Sequence, residues 1–418
     1  MKVVGLITEY NPFHFGHKYH LNMAKKITNS DYSIAVMSGS FVQRGEPSLI
    51  DKWTKAKMAI DNGVDLVIEL PFIFSVQSAE LFAYGSISLL HSLKIVDYVV
   101  FGSETGDLNP LKEIAQILVD EPPYYKEHLK KNLKQGHSFS VSRSHALEHF
   151  FDKYKLNKKH NINIKEILKM SNNILAIEYL KNLILLNSNI QPIAIKRVGS
   201  TYNESQLNHN VASATAIRNK LINGEIEAIK EYVPAKTFDH LINYINKYKN
   251  FNMLDNYTQI INYLLRIEDK NKLTKIIDVE AGLENRIVNK SAEINSIHEL
   301  IQKVSTKRYA KTRIQRILVH MMANLTETVF EELQPHHPSY IRVLGTNDKG
   351  FLILKKIKEK SNLPVVIKFS DYKKYSNPYL NRIIDFDKKA TDLFFLGLNG
   401  NKPYMNMDYY TTLYIKKK

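Results

Sequence analysis

The chain has 418 residues, is 44% apolar, contains no cysteine and carries a formal net charge of +16. No stretch approaches the roughly eighteen consecutive apolar residues of a membrane-spanning helix, and no signal-like segment opens the chain. Neither a transmembrane helix nor a disordered chain is indicated, and the lack of cysteine leaves no disulfides. A cytoplasmic enzyme of two domains, without thiolate metal sites, is expected from this length and composition.

Short β-branched runs in the first half of the chain predict buried parallel strands: KVVGLI, YSIAVM, DLVIEL, DYVVFG and PIAIKRV. Helical patterns separate the first four of these runs, at residues 17–27, 53–60 and 78–93. Strands that alternate with helices predict an α/β fold with a doubly wound, mostly parallel sheet of the Rossmann type. In such a sheet the ligand binds beyond the carboxyl ends of the strands.

The segment NPFHFGHKYH follows the first predicted strand and lies at this ligand-binding edge. Pro12 ends the strand, and Gly16 lets the backbone turn tightly beside a ligand. A helix is expected to begin near His17, so that its first free N–H groups and its positive dipole end suit a phosphate chain. His14 and His17, three residues apart, can donate hydrogen bonds to phosphate oxygens and stabilise a leaving pyrophosphate. A catalytic role for both histidines is predicted.

The segment GSFVQRGEPSLIDKW after the second predicted strand is rich in polar residues and turn signals. It carries Gln43, Arg44, Glu46, Asp51 and Lys52. Such a segment is either solvated surface or a substrate-facing loop. We favour the second interpretation because the segment lies on the same carboxyl edge as the histidines.

The motif EYNPFHFGHKYHL resembles the HxGH signature of the nucleotidylyltransferase superfamily, whose members cleave ATP between the α and β phosphates. Together with MSGSFVQRGEPSLIDKWTKAKMAI, VIELPF, VQSAELFA, FGSETGD and SNNILAIEYLK, it resembles the bacterial tRNA(Met) cytidine acetate ligase family. This resemblance is strong from residue 1 to about 218 and continues weakly to nearly the end. It implies that acetate and ATP form acetyl-adenylate and pyrophosphate. The acetyl group then passes to the exocyclic amine of the wobble cytidine of elongator tRNA(Met).

The resemblance also implies an ATP site. It comprises Ile7, Thr8, Glu9, Tyr10, Asn11, Pro12, Phe13, His14, Phe15, Gly16, His17, Lys18, Tyr19 and His20, with Gly102, Asn172 and Arg197. Gly102 would let adenine or ribose approach the backbone, Asn172 offers a donor and an acceptor, and Arg197 could bind phosphate. The sequence SNN departs from the family's usual proline-asparagine-asparagine, so Asn173 could take the role of Asn172.

The sequence SATAIR resembles the superfamily's late serine/threonine motif, in which hydroxyls and a helix start contact the terminal phosphates. Ser213, Thr215 and Arg218 are therefore possible phosphate contacts. Ser213 is equally suited to a purely structural role as a helix N-cap, and the pattern leaves both roles open.

After residue 220 the pattern becomes helical, and residues 301–418 hold 22 Lys and Arg against 10 Asp and Glu. We expect an ATP-binding nucleotidylyltransferase-like domain at residues 1–240 and a mainly helical, basic, tRNA-binding domain at residues 241–418. The segment of the second domain with the clearest basic pattern is STKRYAKTRIQRILVHMM. The possible tRNA contacts there are Arg308, Lys311, Arg313 and Arg316. A solvated helix face or internal ion pairs would explain the same residues.

Two other functions fit parts of the pattern. An adenylyltransferase acting on a small phosphorylated substrate would use the HxGH core but would leave the basic C-terminal part without a task. A non-catalytic RNA-binding protein would use the nucleotide site only for regulation. No carboxylate pair has the spacing of a dedicated metal site, so any Mg²⁺ is expected to arrive with ATP. The expected partners are elongator tRNA(Met) and acetate, and neither a membrane nor a protein partner is indicated.

Overall fold

An eight-stranded sheet carries the fold in the computed structural model of the chain, which describes residues 1–197, 212–398 and 404–417. The strands are β1 (Val3–Thr8), β2 (Tyr32–Ser38), β3 (Phe41–Val42), β4 (Glu46–Pro47), β5 (Leu66–Leu70), β6 (Tyr98–Ser103), β7 (Gln191–Lys196), β8 (Ile341–Thr346), β9 (Val365–Val366) and β10 (Tyr414–Ile415). Strands β3 and β4 form a separate hairpin, and the others make up the main sheet.

Helices pack on both sides of the sheet and fill the later part of the chain. Those of the first part are α1 (Phe15–Thr28), α2 (Lys52–Asp61), α3 (Phe72–Ser75), α4 (Ala79–Ser92), α5 (Leu108–Asp120), α6 (Pro123–Lys134), α7 (Phe139–Lys153), α8 (Leu156–His160), α9 (Ile164–Lys169), α10 (Ser171–Leu185) and α11 (Ala214–Ile222). The later helices are α12 (Ala235–Tyr248), α13 (Thr258–Ile267), α14 (Lys270–Leu273), α15 (Leu283–Ser291), α16 (Ile297–Val304), α17 (Lys311–Ala323), α18 (Glu327–Leu333), α19 (Asp348–Lys360), α20 (Pro378–Leu396) and α21 (Met407–Tyr410). In the described ranges no helix combines the length and apolarity needed to span a membrane.

The strand order β5-β2-β1-β6-β7 confirms the predicted doubly wound sheet, because all four pairings in this series are parallel. The chain order reverses direction between β1 and β6, since successive strands run outward from β1 on one side and from β6 on the other. A crevice opens at such a reversal beyond the carboxyl ends of the two strands. The loops after β1 and β6 therefore meet at one place, which positions the candidate site.

The later part of the chain is mainly helical, as expected, but it also adds strands to the sheet, because β8 pairs antiparallel with β5. Strands β9 and β10 then pair with β8 in parallel. The run IRVLGT has the β-branched composition of a buried strand, and all six of its residues are buried. It covers the edge that β5 would otherwise expose, which removes a row of unpaired backbone groups.

The predicted division after residue 240 falls inside α12, which packs against α2. His240 Nε2 lies 2.7 Å from Asp61 Oδ2, and Asn62 Nδ2 donates to Thr237 Oγ1 at 3.1 Å. One hydrophobic core runs from Val3 to Leu398 and includes side chains from both predicted parts. The two parts therefore share a sheet and a core, and the division after residue 240 does not separate two independent hydrophobic cores.

Candidate active site

The loop from β1 to α1 is anchored by buried polar contacts. Asn11 is buried, and its Oδ1 accepts from Leu49 N at 2.8 Å, while its carbonyl oxygen accepts from Arg218 Nη1 at 3.2 Å. Tyr10 adopts a positive φ of 46° and lies buried beneath the loop. The side chain of Asn11 therefore holds the loop in place.

His14 and His17 both use Nδ1 to cap the start of α1. His14 Nδ1 accepts from Gly16 N at 3.0 Å, and His17 Nδ1 accepts from His14 N at 3.3 Å. This reciprocal arrangement is a capping box built from two imidazoles. Because each Nδ1 is an acceptor, the proton of each neutral ring lies on Nε2. Each ring thus keeps one N–H donor for a ligand.

Two expectations about this helix start need correction. The helix begins at Phe15 rather than near His17, because His14 is the N-cap. The N–H groups of its first turn are not free: Phe15 N donates to Tyr232 O, Gly16 N to His14 Nδ1, and His17 N to His14 O. Phosphate oxygens approaching this end would therefore meet imidazole Nε2–H groups and not unpaired backbone donors.

The histidines of this segment are held in the neutral form. Burial, helped by the Arg197 and Arg218 guanidinium groups, lowers the pKa of His14 to about 4. Burial and the neighbouring His14 and His20 hold the pKa of His17 well below its usual range. Burial and Arg197 lower the pKa of His20 to about 4. Neutral imidazoles suit hydrogen-bond donation to an anion at physiological pH.

Aromatic packing fixes the orientation of His17. Its ring stacks on His14 with centroids 3.8 Å apart, meets Tyr10 edge-on at 5.1 Å and lies 5.7 Å from Phe13. Tyr10 and Phe13 in turn contact each other at 4.8 Å. Because the ring is held on three sides, its Nε2–H already points in a fixed direction. Little side-chain entropy is then lost when a ligand binds to it.

The other predicted residues of the segment differ in their exposure and contacts. Thr8 and Pro12 are buried, and Glu9 Oε1 accepts from Gln43 N at 2.9 Å. Phe15 and Tyr19 are exposed on α1, whereas Ile7 and Lys18 are half-buried. His20 Nε2 is buried and has no hydrogen-bond partner among the described residues. An unpartnered buried nitrogen beside the stacked pair is a further position where a ligand could bind.

Gly102 and Arg197 are brought together where β6 and β7 end. A Cβ on Gly102 would lie 2.9 Å from Arg197 Cγ, so the missing side chain leaves room for the Arg197 stem. The sequence interpretation gave this space to adenine or ribose, but Arg197 occupies it in the structure. Arg197 N also donates to Ser103 O at 2.8 Å, which extends the strand pairing by one residue.

Asn172 lies at this edge and Asn173 does not. Arg197 Nη1 donates to Asn172 Oδ1 at 2.9 Å, and Asn172 Nδ2 donates to Glu104 Oε1 at 2.6 Å. Asn173 is fully buried, and its Oδ1 accepts from Glu104 N at 2.9 Å. The half-buried Asn172 is therefore the asparagine placed beside Arg197, while Asn173 fixes the loop after β6 from within.

The SATAIR segment begins α11. Ser213 Oγ accepts from Ala216 N at 3.2 Å, so Ser213 has the structural N-cap role that the sequence left open. Thr215 Oγ1 accepts from Arg218 Nη2 at 3.2 Å. Arg218 also lies 3.7 Å from the Glu46 carboxylate, so one guanidinium links α11, the β3–β4 hairpin and the loop after β1.

Several residues of the polar segment after β2 make internal structural contacts, although the sequence favoured a substrate-facing loop. Asp51 caps α2 through Trp53 N and Thr54 N, and Gln43 Nε2 donates to Gln77 O. Lys52 is fully buried between Glu69 and Asp408, each 2.8 Å from its Nζ. In the predicted set Arg44 is exposed at the hairpin, and Gln43 and Glu46 are half-buried.

The predicted tRNA-contacting arginines mostly form ion pairs at the start of α17. Arg308 and Arg313 each bind Glu280, at 2.9 and 2.8 Å. Arg316 is buried and lies 3.3 Å from Asp278. The internal ion pairs considered from the sequence therefore account for Arg313 and Arg316, whereas Lys311 is exposed and has no partner in the described part of the chain.

No cluster of three or more histidine, cysteine, aspartate and glutamate side chains suited to a metal ion occurs within residues 1–197, 212–398 and 404–417. The described side chains that meet at the crevice include imidazole, guanidinium and amide groups. A Rossmann-type sheet with an HxGH loop at its switch point, paired neutral imidazoles and a flanking arginine defines a nucleotidyltransferase-like active site.

Comparison with known proteins gives the same answer. A profile of the family described as HIGH Nucleotidyl Transferase matches residues 1–408. The chain is 45% identical over 402 residues to the tRNA(Met) cytidine acetate ligase of Thermoanaerobacter sp. (strain X514), with 96% of each chain covered. It is 43% identical over 395 residues to that of Clostridium perfringens (strain SM101 / Type A), covering 94% of this chain and 95% of the relative.

Among solved structures, Thermotoga maritima TmcAL bound with alpha-thio ATP matches with a TM-score of 0.92 and 34% identity over 100% of both chains. The apo form of the same protein matches with the same values. The chain therefore belongs to the tRNA(Met) cytidine acetate ligase family of the HIGH nucleotidyl transferases, which confirms the resemblance read from the sequence.

Proposed function

We propose that this chain, an ATP-dependent ligase by family, activates acetate as acetyl-adenylate and transfers the acetyl group to the exocyclic amine of the wobble cytidine of elongator tRNA(Met). The observation that carries the proposal is the pair of stacked imidazoles at the crevice. Each has Nδ1 engaged by the backbone and Nε2–H left for a ligand. The neutral rings can donate to phosphate without first losing or gaining a proton.

In the first step an acetate oxygen attacks the α phosphorus of ATP, and the bond from that phosphorus to the bridging oxygen breaks. Negative charge builds up on the departing pyrophosphate. His14 and His17 would donate Nε2–H to these oxygens, and Arg197 would add a fixed positive charge. The three groups are already oriented by internal contacts, so little reorganisation is needed when the charge develops.

The remaining ATP contacts are proposed from the same edge of the sheet. Asn172, held between Glu104 and Arg197, is placed to contact base or sugar, and Arg218 lies beside the loop carbonyl of Asn11. Gly102 would contribute indirectly, because its lack of a side chain leaves room for the aliphatic part of Arg197 to pack against β6. Mg²⁺ is proposed to arrive with the ATP phosphates, since nucleotide-bound Mg²⁺ needs few protein ligands.

We propose that the exposed basic residues of the later part contact tRNA and that Lys311 is the strongest candidate among them. The enzyme is proposed to act in the cytoplasm. Residues 1–240 would form the adenylate, and residues 241–418 would contribute most of the RNA contacts. This division is one of labour, because both parts share the sheet. Arg308 remains a candidate through its exposed side chain, whereas Arg313 and Arg316 are engaged by Glu280 and Asp278.

Exchange of labelled pyrophosphate into ATP tests the proposal. Exchange that requires acetate supports adenylate formation, and acetate-dependent labelling of cytidine in tRNA(Met) tests the transfer. An adenylyltransferase with another substrate would give exchange only with that substrate, and a non-catalytic RNA-binding protein would give none. Exchange without any requirement for acetate would contradict the proposal.

A further inference from the structure

A cleft of about 200 Å³ lies where the β3–β4 hairpin, α11, residues 252–255, α16 and α17 meet. Its walls combine polar side chains, including Glu46, Asn219 and Gln315, with the apolar Ile222 and Ile301. The volume is below the roughly 300–1,000 Å³ of clefts that bind drug-sized ligands. The cleft therefore suits a single planar base better than a whole nucleotide.

Arg218 lines the cleft and also contacts the loop after β1, which belongs to the candidate ATP site. The guanidinium donates to the carbonyl oxygen of Asn11 in the loop after β1 and lies 3.7 Å from the Glu46 carboxylate at the cleft. The positive charge of Arg218 also contributes to the lowered pKa of His14. A group bound in the cleft would thus contact Arg218, whose guanidinium also contacts the loop that precedes His14.

The carboxylate of Glu46 retains capacity for a ligand. One oxygen accepts from Gln315 Nε2 at 3.1 Å, and the side chain is 34% exposed. An ionised carboxylate has about four acceptor positions, so these contacts leave room for another donor. An exocyclic amine of a base is such a donor.

The hairpin that carries Glu46 is seated firmly. Gly45 has a φ of 80°, and a Cβ there would lie 2.3 Å from Arg316 N, so the hairpin tip packs on the backbone of α17. Arg44, the preceding residue, is exposed and has no ion pair among the described residues. Lys311 is one helical turn before Gln315 on the same face of α17. Two exposed cations are therefore close in the chain to the cleft residues Glu46 and Gln315, where they could meet an RNA backbone.

We propose that this cleft receives the acceptor cytosine of the RNA, unstacked from its neighbours, and that Glu46 accepts the proton of its exocyclic amine. This inference rests on the proposed function. The amine nitrogen forms a bond to the carbonyl carbon of acetyl-adenylate, the bond from that carbon to the AMP oxygen breaks, and AMP leaves with the electron pair. One amine proton passes to the Glu46 carboxylate and then to solvent. Unpaired loop bases are commonly recognised in this way.

Two assays on the same protein preparation test the proposal: acetate-dependent pyrophosphate exchange and acetyl transfer to an RNA hairpin with the anticodon arm sequence. Glu46→Gln keeps the shape and the contact with Gln315 but cannot accept the proton. We expect the ratio of transfer to exchange to fall about 100-fold, with the KM for RNA little changed. Glu127→Gln, an exposed carboxamide substitution on α6, is the matched control.

A second variant tests the cleft itself without touching the carboxylate. Asn219 is exposed on the cleft wall, and Asn219→Trp would fill the space for the base, so the KM for RNA should rise. Asn223→Trp at the exposed end of the same helix is the control. An unchanged ratio for Glu46→Gln, or an equal fall in exchange and transfer, would overturn the proton-acceptor role. An unchanged KM for Asn219→Trp would overturn the base site. A wild-type chain inactive in both assays would overturn the proposed function and this inference with it.

Discussion

The imidazole rings of His14 and His17 stack with their centroids 3.8 Å apart, and both turn Nδ1 towards the backbone of the helix start. One edge of each ring therefore stabilises α1, and the opposite edge is free for chemistry. Alanine at either position would remove a cap and a donor together. Side chains that replace only the Nδ1 acceptor can separate the two roles.

We predict that His17→Gln keeps the fold and loses most adenylate formation. A glutamine at this third helical position can accept the N–H of His14 as in an ordinary capping box, but it does not reproduce the Nε2–H of the stacked ring. Loss of one preorganised donor costs roughly 100–1,000-fold in rate. Pyrophosphate exchange measures the loss, and thermal unfolding checks the fold. A well-folded variant with near wild-type exchange would contradict the phosphate role of His17.

The same separation applies to His14. Asparagine is among the best N-cap residues, so His14→Asn should retain the bond from Gly16 N while removing the outer donor. We expect a melting temperature close to that of the wild type and a fall in exchange similar to that of His17→Gln. His14→Ser, which also caps helices and lacks the outer donor, should behave like His14→Asn and is a second test of the same separation.

Buried neutral histidines predict acid instability. His320 is fully buried, its Nε2 contacts Val76 O at 2.7 Å, and burial lowers its pKa to about 4. The unfolded chain, with a pKa near 6.5, binds more protons between about pH 6.5 and pH 4. Stability is therefore lost as pH falls through that window, by roughly 3 kcal/mol for His320 alone.

The variant His320→Gln tests this contribution, because its amide can still donate to Val76 O but does not titrate. Its free energy of unfolding should depend less steeply on pH between 4 and 6.5, by up to about 1.4 kcal/mol per pH unit. Urea unfolding at pH 4 to 8 gives the slope for each protein. Equal slopes in the two proteins would contradict the neutral buried state of His320.

The β-branched runs predicted the parallel strands β1, β2, β5, β6 and β7, because buried strands in α/β sheets are nearly uniformly apolar. Burial was correct for the first four, whereas β7 lies at the sheet edge and only Ile195 of its residues is buried. The HxGH loop was likewise placed at the correct sheet edge by its position after the first strand. Strand β8 was missed, although IRVLGT has the same composition, because a helical pattern surrounds it and its partner β5 lies about 275 residues earlier in the chain. The residues around β8 carry no information about pairing with a strand so distant in the chain.

Side-chain pairing was the other feature that the sequence could not show. A basic segment looks the same whether its charges face solvent or meet acidic residues from a distant turn. Arg313 and Arg316 pair with Glu280 and Asp278, more than thirty residues away. The free N–H groups expected at the start of α1 were also absent, since the same histidines that mark the motif cap the helix.

The buried Lys52 predicts a large loss of stability on substitution. Burial alone would lower its pKa, but Asp408 and Glu69 raise it on balance, so the ammonium stays charged. Lys52→Met leaves the buried Glu69 without its cation and Asp408 with only Arg342, 3.8 Å away, and we expect a loss of about 3–5 kcal/mol in the free energy of unfolding. Lys26→Met, on the exposed face of α1, is the control. Equal stabilities of the two variants would refute this role.

Salt dependence of tRNA binding can distinguish free cations from paired ones on α17. Lys311 is exposed and unpartnered in the described part of the chain, whereas Arg316 is buried beside Asp278. We predict that Lys311→Gln weakens tRNA binding and makes the log–log salt slope shallower by ~0.7–0.9, as the loss of one phosphate contact requires. Its melting temperature should stay at the wild-type value, because no internal contact is removed.

Arg316→Leu should show the opposite pattern. Burial lowers the pKa of the Arg316 guanidinium, and Asp278 opposes the shift. The substitution would leave the Asp278 carboxylate without this ion-pair partner. We expect a loss of roughly 1–3 kcal/mol in unfolding free energy and an unchanged salt slope in the protein that remains folded. Both quantities are measured on each variant. A shallower slope for Arg316→Leu would show that this arginine contacts RNA, and an unchanged slope for Lys311→Gln would exclude Lys311 from the RNA surface.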